Sequence, residues 1–119
     1  MPTQHNQIHN FDKTDLTRHM PKTKIDVLKF GSNEVNRVQF EEGWHWSVDV
    51  KPNAGTDSCQ VAHLLIVLVG RMEVIMDSGE KQVIGTHDVA YIAPGHDAKN
   101  IGDRPFVAID LPGLEGFSQ

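Results

Sequence analysis

Residues 55–103 read GTDSCQVAHLLIVLVGRMEVIMDSGEKQVIGTHDVAYIAPGHDAKNIGD, and this stretch decides how the rest of the chain is read. It holds two strand-like blocks, each closed by a glycine turn: an apolar run over 61–69 that stops at Gly70, and a run over 89–92 that stops at Pro94 and Gly95. Cys59 and His63 lie four residues apart on what reads as one long strand over 57–69, so alternation puts both side chains on one face. His96 follows much later, in the Pro-Gly turn. One thiol and two imidazoles are residue types that borderline transition metals accept together.

Outward from this stretch the signals are again strands. Residues 25–30 and 35–40 are short apolar runs separated by a turn at 31–34. Trp44, Trp46, Val48 and Val50 alternate with His45, Ser47 and Asp49, a period of two that predicts a further strand, followed by a loop over 51–55. Residues 72–76 and 81–84 flank the hairpin turn at 77–79, and 106–111 form the last strand. Short strands with Gly, Pro and Asp turns, and no competing helical periodicity, predict an all-β sandwich or barrel. Residues 1–24 read as an N-terminal arm and edge segment, in which 11–20 are a helical turn or an extended edge, and 25–119 as the barrel.

Bulk properties narrow the class. A chain of 119 residues is one domain with room for a hydrophobic core. Its formal charge of −5 and its lack of a basic cluster argue against a nucleic-acid partner. One cysteine excludes an intrachain disulfide and suits a reducing compartment. The longest apolar run is far too short to span a bilayer, and the N-terminal MPTQHNQIHNFDK lacks a secretory core, so no membrane partner and a cytoplasmic location are expected.

The stretch resembles the paired motifs of the cupin superfamily, G-x5-H-x-H-x3/4-E-x6-G and G-x5-P-x-G-x2-H-x3-N. Counted back from Gly70, His63 occupies the glutamate position, Cys59 the second histidine and Asp57 the first. In the second motif Ala93 replaces the proline and His87 the opening glycine, the turn is about two residues shorter, and H-x3-N survives as His96 and Asn100. More narrowly, WHW at 44–46, VKP at 50–52, GTDSCQ at 55–60 and PGHDA at 94–98 are similar to segments of a group of small bacterial cupin-domain proteins. The resemblance implies an RmlC-like double-stranded β-helix, or jelly-roll barrel, with a divalent transition metal held inside by Cys59, His63 and His96. Zinc is the default for a Cys-His-His set, and iron, nickel or copper suit it too.

Each site residue has a plainer reading beside this one. Cys59 is a metal ligand or a small buried hydrophobe, and His63 a ligand or a satisfied core histidine. His45 joins the site as a fourth ligand or faces solvent. Asp57 touches the metal or is a strand-entry carboxylate. Asp97 orients a ligating imidazole or shapes its turn. Lys51 meets an anionic ligand at the rim or is solvated, and Trp46, with Trp44, is core or pocket wall.

On the expected strand over 57–69, Ala62, Leu64, Ile66 and Leu68 point outward, an apolar face that the N-terminal segment or a second subunit must cover, and a homodimer is expected. Three functions follow. The first is a metal-dependent enzyme acting on a small polar molecule, and the second a non-catalytic cupin that binds or senses a metabolite or the metal. The third is a metal-free nucleophile built from Cys59, one histidine and Asp97.

Overall fold

The computed structural model describes residues 5–114, so the first four residues of the expected arm and the last five of the expected barrel lie outside the described residues. Among the described residues, nine strands form two antiparallel sheets. They are β1 (Leu16–Met20), β2 (Thr23–Phe30), β3 (Asn33–Phe40), β4 (His63–Val69), β5 (Arg71–Met76), β6 (Lys81–Gly85), β7 (Val89–Ile92), β8 (His96–Asn100) and β9 (Phe106–Pro112). The larger sheet runs β1-β2-β3-β9-β4-β7 and the smaller β6-β5-β8. The fold is all-β, as the strand spacing predicts.

Alternation explains which side chains meet. Val38 on β3, Leu65 and Val67 on β4, and Phe106 and Ala108 on β9 turn inward from the large sheet. They pack on Met72, Val74 and Ala98 from the small sheet, and this shared layer is the core. The same parity puts Asp110 inside on β9, and His96 and Asn100 inside on β8. Asn100 ties β8 to β3 of the large sheet: its Nδ2 donates to the Phe40 carbonyl at 3.2 Å, and its backbone N–H donates to Trp44 O at 2.9 Å.

Two expectations fail. The segment 44–50, expected as an alternating strand, is instead a one-turn helix, α1 (Trp46–Asp49), and the loop expected over 51–55 is largely a second, α2 (Lys51–Ala54). Asp49 decides this locally. Its carboxylate accepts the His45 N–H at 2.9 Å while Val48 N–H and Asp49 N–H donate to the His45 carbonyl, which closes a turn in place of a sheet ladder. Gly55, at φ 75°, then ends α2 in the left-handed conformation. Trp44 and Trp46 are still buried, but Val48 is exposed.

The long strand expected over 57–69 begins only at His63. Cys59 lies outside it and pairs by an isolated bridge with His96. Among the described residues no helix is long and apolar enough to cross a membrane.

Candidate metal centre

Cys59 is placed by backbone pairing with the start of β8. Its N–H donates to the His96 carbonyl at 2.7 Å, and its carbonyl accepts the Gly95 N–H at 2.7 Å. Gly95 makes the turn possible at φ 89°, and a Cβ there would lie 2.8 Å from an Asp77 carboxylate oxygen. His63 opens β4 with its ring directed inward. Cys59 and His63 therefore converge because two segments bridge, and their shared face is not the product of a continuous strand. His96 is the first residue of β8, just past the Pro-Gly turn.

The three side chains form one cluster, with one donor atom from each lying within 4.8 Å of the others. Sγ of Cys59 is 3.5 Å from Nε2 of His63, and the two imidazoles meet edge to face with centroids 5.5 Å apart. The far side of each ring is fixed. Nδ1 of His63 lies 2.8 Å and 3.0 Å from the two carboxylate oxygens of Asp110, and Nδ1 of His96 lies 2.7 Å from the Ala93 carbonyl. A carboxylate and a carbonyl only accept here, so both Nδ1 atoms carry the proton and both Nε2 atoms are left for the cluster.

Electrostatics follow from this packing. Burial pushes the Cys59 thiol up, but the hydrogen bonds from His63 and His96 outweigh it and hold the group at about 6. Burial works to lower His63, yet Asp110 and Cys59 raise it to about 9. At neutral pH the pair is thus thiolate and imidazolium, with one proton on Nε2 between them. A soft anion and two orientable nitrogens are a donor set that suits a borderline dication.

The other expected site residues stand apart. His45 Nε2 is 2.9 Å from Asp97 Oδ2, and Asp97 Oδ1 accepts the backbone N–H groups of Ser47 and Ala98. Asp97 therefore fastens α1 to β8 and does not orient a clustered imidazole. The carboxylate that does so is Asp110, which residue order alone does not tie to a histidine. Its signal was an acid at a buried parity position in the apolar run FVAIDL. Asp57 is fully exposed and pairs with Lys51 at 3.6 Å, both at the surface and away from the cluster. Trp46 is buried and does line the cavity above the cluster, together with Trp44.

No family model and no curated protein matches this sequence. Solved structures do match in fold. An RmlC-like cupin from Shewanella frigidimarina is 15% identical with a TM-score of 0.61, over 94% of this chain and 95% of that one. KdgF from Halomonas sp. is 17% identical with a TM-score of 0.62, over 94% and 96%. A Cupin 2 conserved barrel domain protein from Salinispora arenicola is 16% identical with a TM-score of 0.61, over 95% and 91%.

Proposed function

We propose that this chain, whose fold is that of the cupin superfamily, is a small metal-binding protein that holds a divalent transition metal on Cys59, His63 and His96. The observation that carries this reading is the paired orientation of the two imidazoles. Each is held at Nδ1 by an acceptor, Asp110 or the Ala93 carbonyl, so that Nε2 faces the thiolate. Zinc is the first candidate for such a set, ahead of iron, nickel and copper.

With three protein ligands a metal keeps at least one coordination position for water or an oxygen donor, and it supplies Lewis-acid chemistry there. The chain's own residues do the rest. Asp110 holds the His63 proton at Nδ1 and fixes the ring, while the Ala93 carbonyl does the same for His96. The walls above them are largely apolar. The bound molecule is a small one that enters the cavity, and the reading covers both an enzyme and a binding protein.

Cys59, His63 and Asp110 also stand in the order of a thiolate, its base and an orienting carboxylate. His96 favours the metal reading over a nucleophile, because a three-residue relay has no use for a second imidazole aimed at the same point. Elemental analysis of purified wild type, Cys59→Ala and His96→Ala decides the matter. Stoichiometric metal in wild type and its loss in both variants is expected. Metal-free wild type, or undiminished metal in both variants, overturns the assignment.

We further take the chain as a cytoplasmic homodimer. The single free cysteine supports the reducing compartment. Ile66, Leu68 and Val89 are exposed on β4 and β7, and this supports burial of that outer face against a second copy. A monomeric mass by light scattering contradicts the dimer.

A further inference from the structure

An open-mouthed cavity of about 370 Å³ lies above the cluster. Side chains from both sheets wall it, among them Ile25, Val38, Phe40, Leu65, Met72 and Val74. No lysine, arginine or glutamate contributes among the described residues. A small polar molecule is the expectation from the sequence, and the wall chemistry runs against it.

Most of the polar wall groups are already engaged with the protein, and the Gln60 carboxamide oxygen stands at the exposed mouth. The Thr23 hydroxyl donates to the Pro21 carbonyl at 2.8 Å and accepts the Trp44 indole N–H at 2.9 Å. The Thr56 hydroxyl donates to the Ser58 carbonyl at 2.7 Å, and the Gln60 amide nitrogen donates to the Ser58 hydroxyl at 2.9 Å. Asp110 spends both oxygens on His63. A polyhydroxylated ligand would leave its hydroxyls buried without partners, and each such group is penalised. Among the described residues, the cluster of Cys59, His63 and His96 is the largely buried polar group in this wall with donor atoms aimed at a common point.

Resting on the metal site proposed above, we propose that the cavity takes a compact apolar molecule with a single oxygen donor at one end. The apolar body fills the space between the sheets, and the oxygen meets the metal held by the cluster. A dry cavity of about 150 Å³ accommodates benzene, so this one suits roughly ten to fifteen non-hydrogen atoms, the size of a two-ring aromatic. A phenol or an aromatic carboxylate has this chemistry, and a sugar does not.

The test uses the full chain, prepared with and without zinc, and the probes 2-naphthol and glucose. Zinc content is read first on the same samples. Calorimetry is expected to show one 2-naphthol bound per chain, about tenfold or more tighter in the zinc-loaded form, and no glucose binding. The indole N–H resonances of Trp44 and Trp46 are expected to shift on addition of 2-naphthol, which locates the ligand without any substitution.

Stoichiometric zinc with no 2-naphthol binding, or with glucose bound as tightly, overturns the ligand class and leaves the metal site standing. Equal 2-naphthol affinity with and without zinc overturns the oxygen-to-metal contact, and indole resonances that do not move overturn the location. Failure to bind zinc sinks the metal site itself. The zinc-free titration still decides whether the cavity takes an apolar body.

Discussion

The Asp110 carboxylate lies 2.8 Å from Nδ1 of His63, joining two strands whose residues are far apart in sequence. In the β4–β9 ladder Asp110 pairs with Leu65, two residues along from His63 on the same inward face. The contact is diagonal across the sheet, and only this register permits it. Asp110 is buried, so its charge acts on the imidazole with little screening.

Asp110→Asn is therefore expected to weaken metal binding about ten- to a hundredfold, by loosening the ring and removing the charge that supports its basicity. Zinc affinity by competition with a chromophoric chelator checks the magnitude. Without the Asp110 charge, which raises it, the His63 ring should also titrate lower in the metal-free variant than in metal-free wild type, read by NMR. A variant that binds zinc like wild type and leaves this titration unmoved removes Asp110 from any positioning role.

Metal affinity should rise with pH. The metal binds the form that lacks the proton on His63 Nε2 and the proton on Cys59. Between about 6 and about 9 the metal-free pair is thiolate and imidazolium, so binding expels one proton and affinity climbs about tenfold per pH unit. Below about 6 Cys59 is protonated too, and the slope steepens toward two protons. Calorimetry in buffers of different ionisation enthalpy counts the protons released. A count near zero at pH 7.5 is incompatible with this pairing.

Asp26 supplies a stability test away from the site. Burial raises its carboxyl, but hydrogen bonds from Arg37 and Thr17 outweigh that and hold it below the ordinary value. The Arg37 guanidinium donates to Asp26 Oδ2 at 2.8 Å and 3.1 Å. Arg37→Met removes the charged partner of a buried carboxylate, leaving it the Thr17 hydroxyl alone, and is expected to cost about 1.5–3 kcal/mol at pH 7. A folded-state pKa that is depressed contributes stability above the unfolded value, and that contribution is lost as pH falls through the folded value. The penalty should therefore shrink in acid, which urea midpoints at pH 7 and pH 3 can compare.

Gly70 turns β4 into β5 at φ 104°, with a Cβ there meeting Phe106 Cα at 3.0 Å and the Pro105 carbonyl at 3.1 Å. Gly79 also has a positive φ of 91° but open space around it. Gly70→Ala should lose about 2 kcal/mol or more, from strain and from contact with backbone that cannot yield. Gly79→Ala carries strain alone and should lose less. Thermal denaturation of the two variants side by side tests the difference, and equal losses would mean that the contacts at Gly70 relax freely.

Much of the fold was legible in residue order because a strand buries every second side chain. The apolar runs 89–92 and 106–111, bounded by turn residues, stand out as strands, and β7 and β9 lie there. The rule of alternation misread 44–50. Trp44, Trp46, Val48 and Val50 have the period of a strand, but one hydrogen bond from the His45 N–H to Asp49 closes a helical turn, and periodicity carries no sign of it. Cys59, His63 and His96 were legible as a donor set through their types and their spacing from Gly70 and Asn100.

The sequence by itself determined the spacing of strands and turns, the all-β class and the kinds of donor available to a metal. Tertiary structure alone decided which carboxylate serves which imidazole. Asp97, next to His96 in sequence, turns to His45 and α1 because neighbours along a strand face opposite sides of the sheet. Asp110 reaches His63 because the pairing of β9 with β4 sets them diagonally on one face, and that register is fixed by the whole sheet.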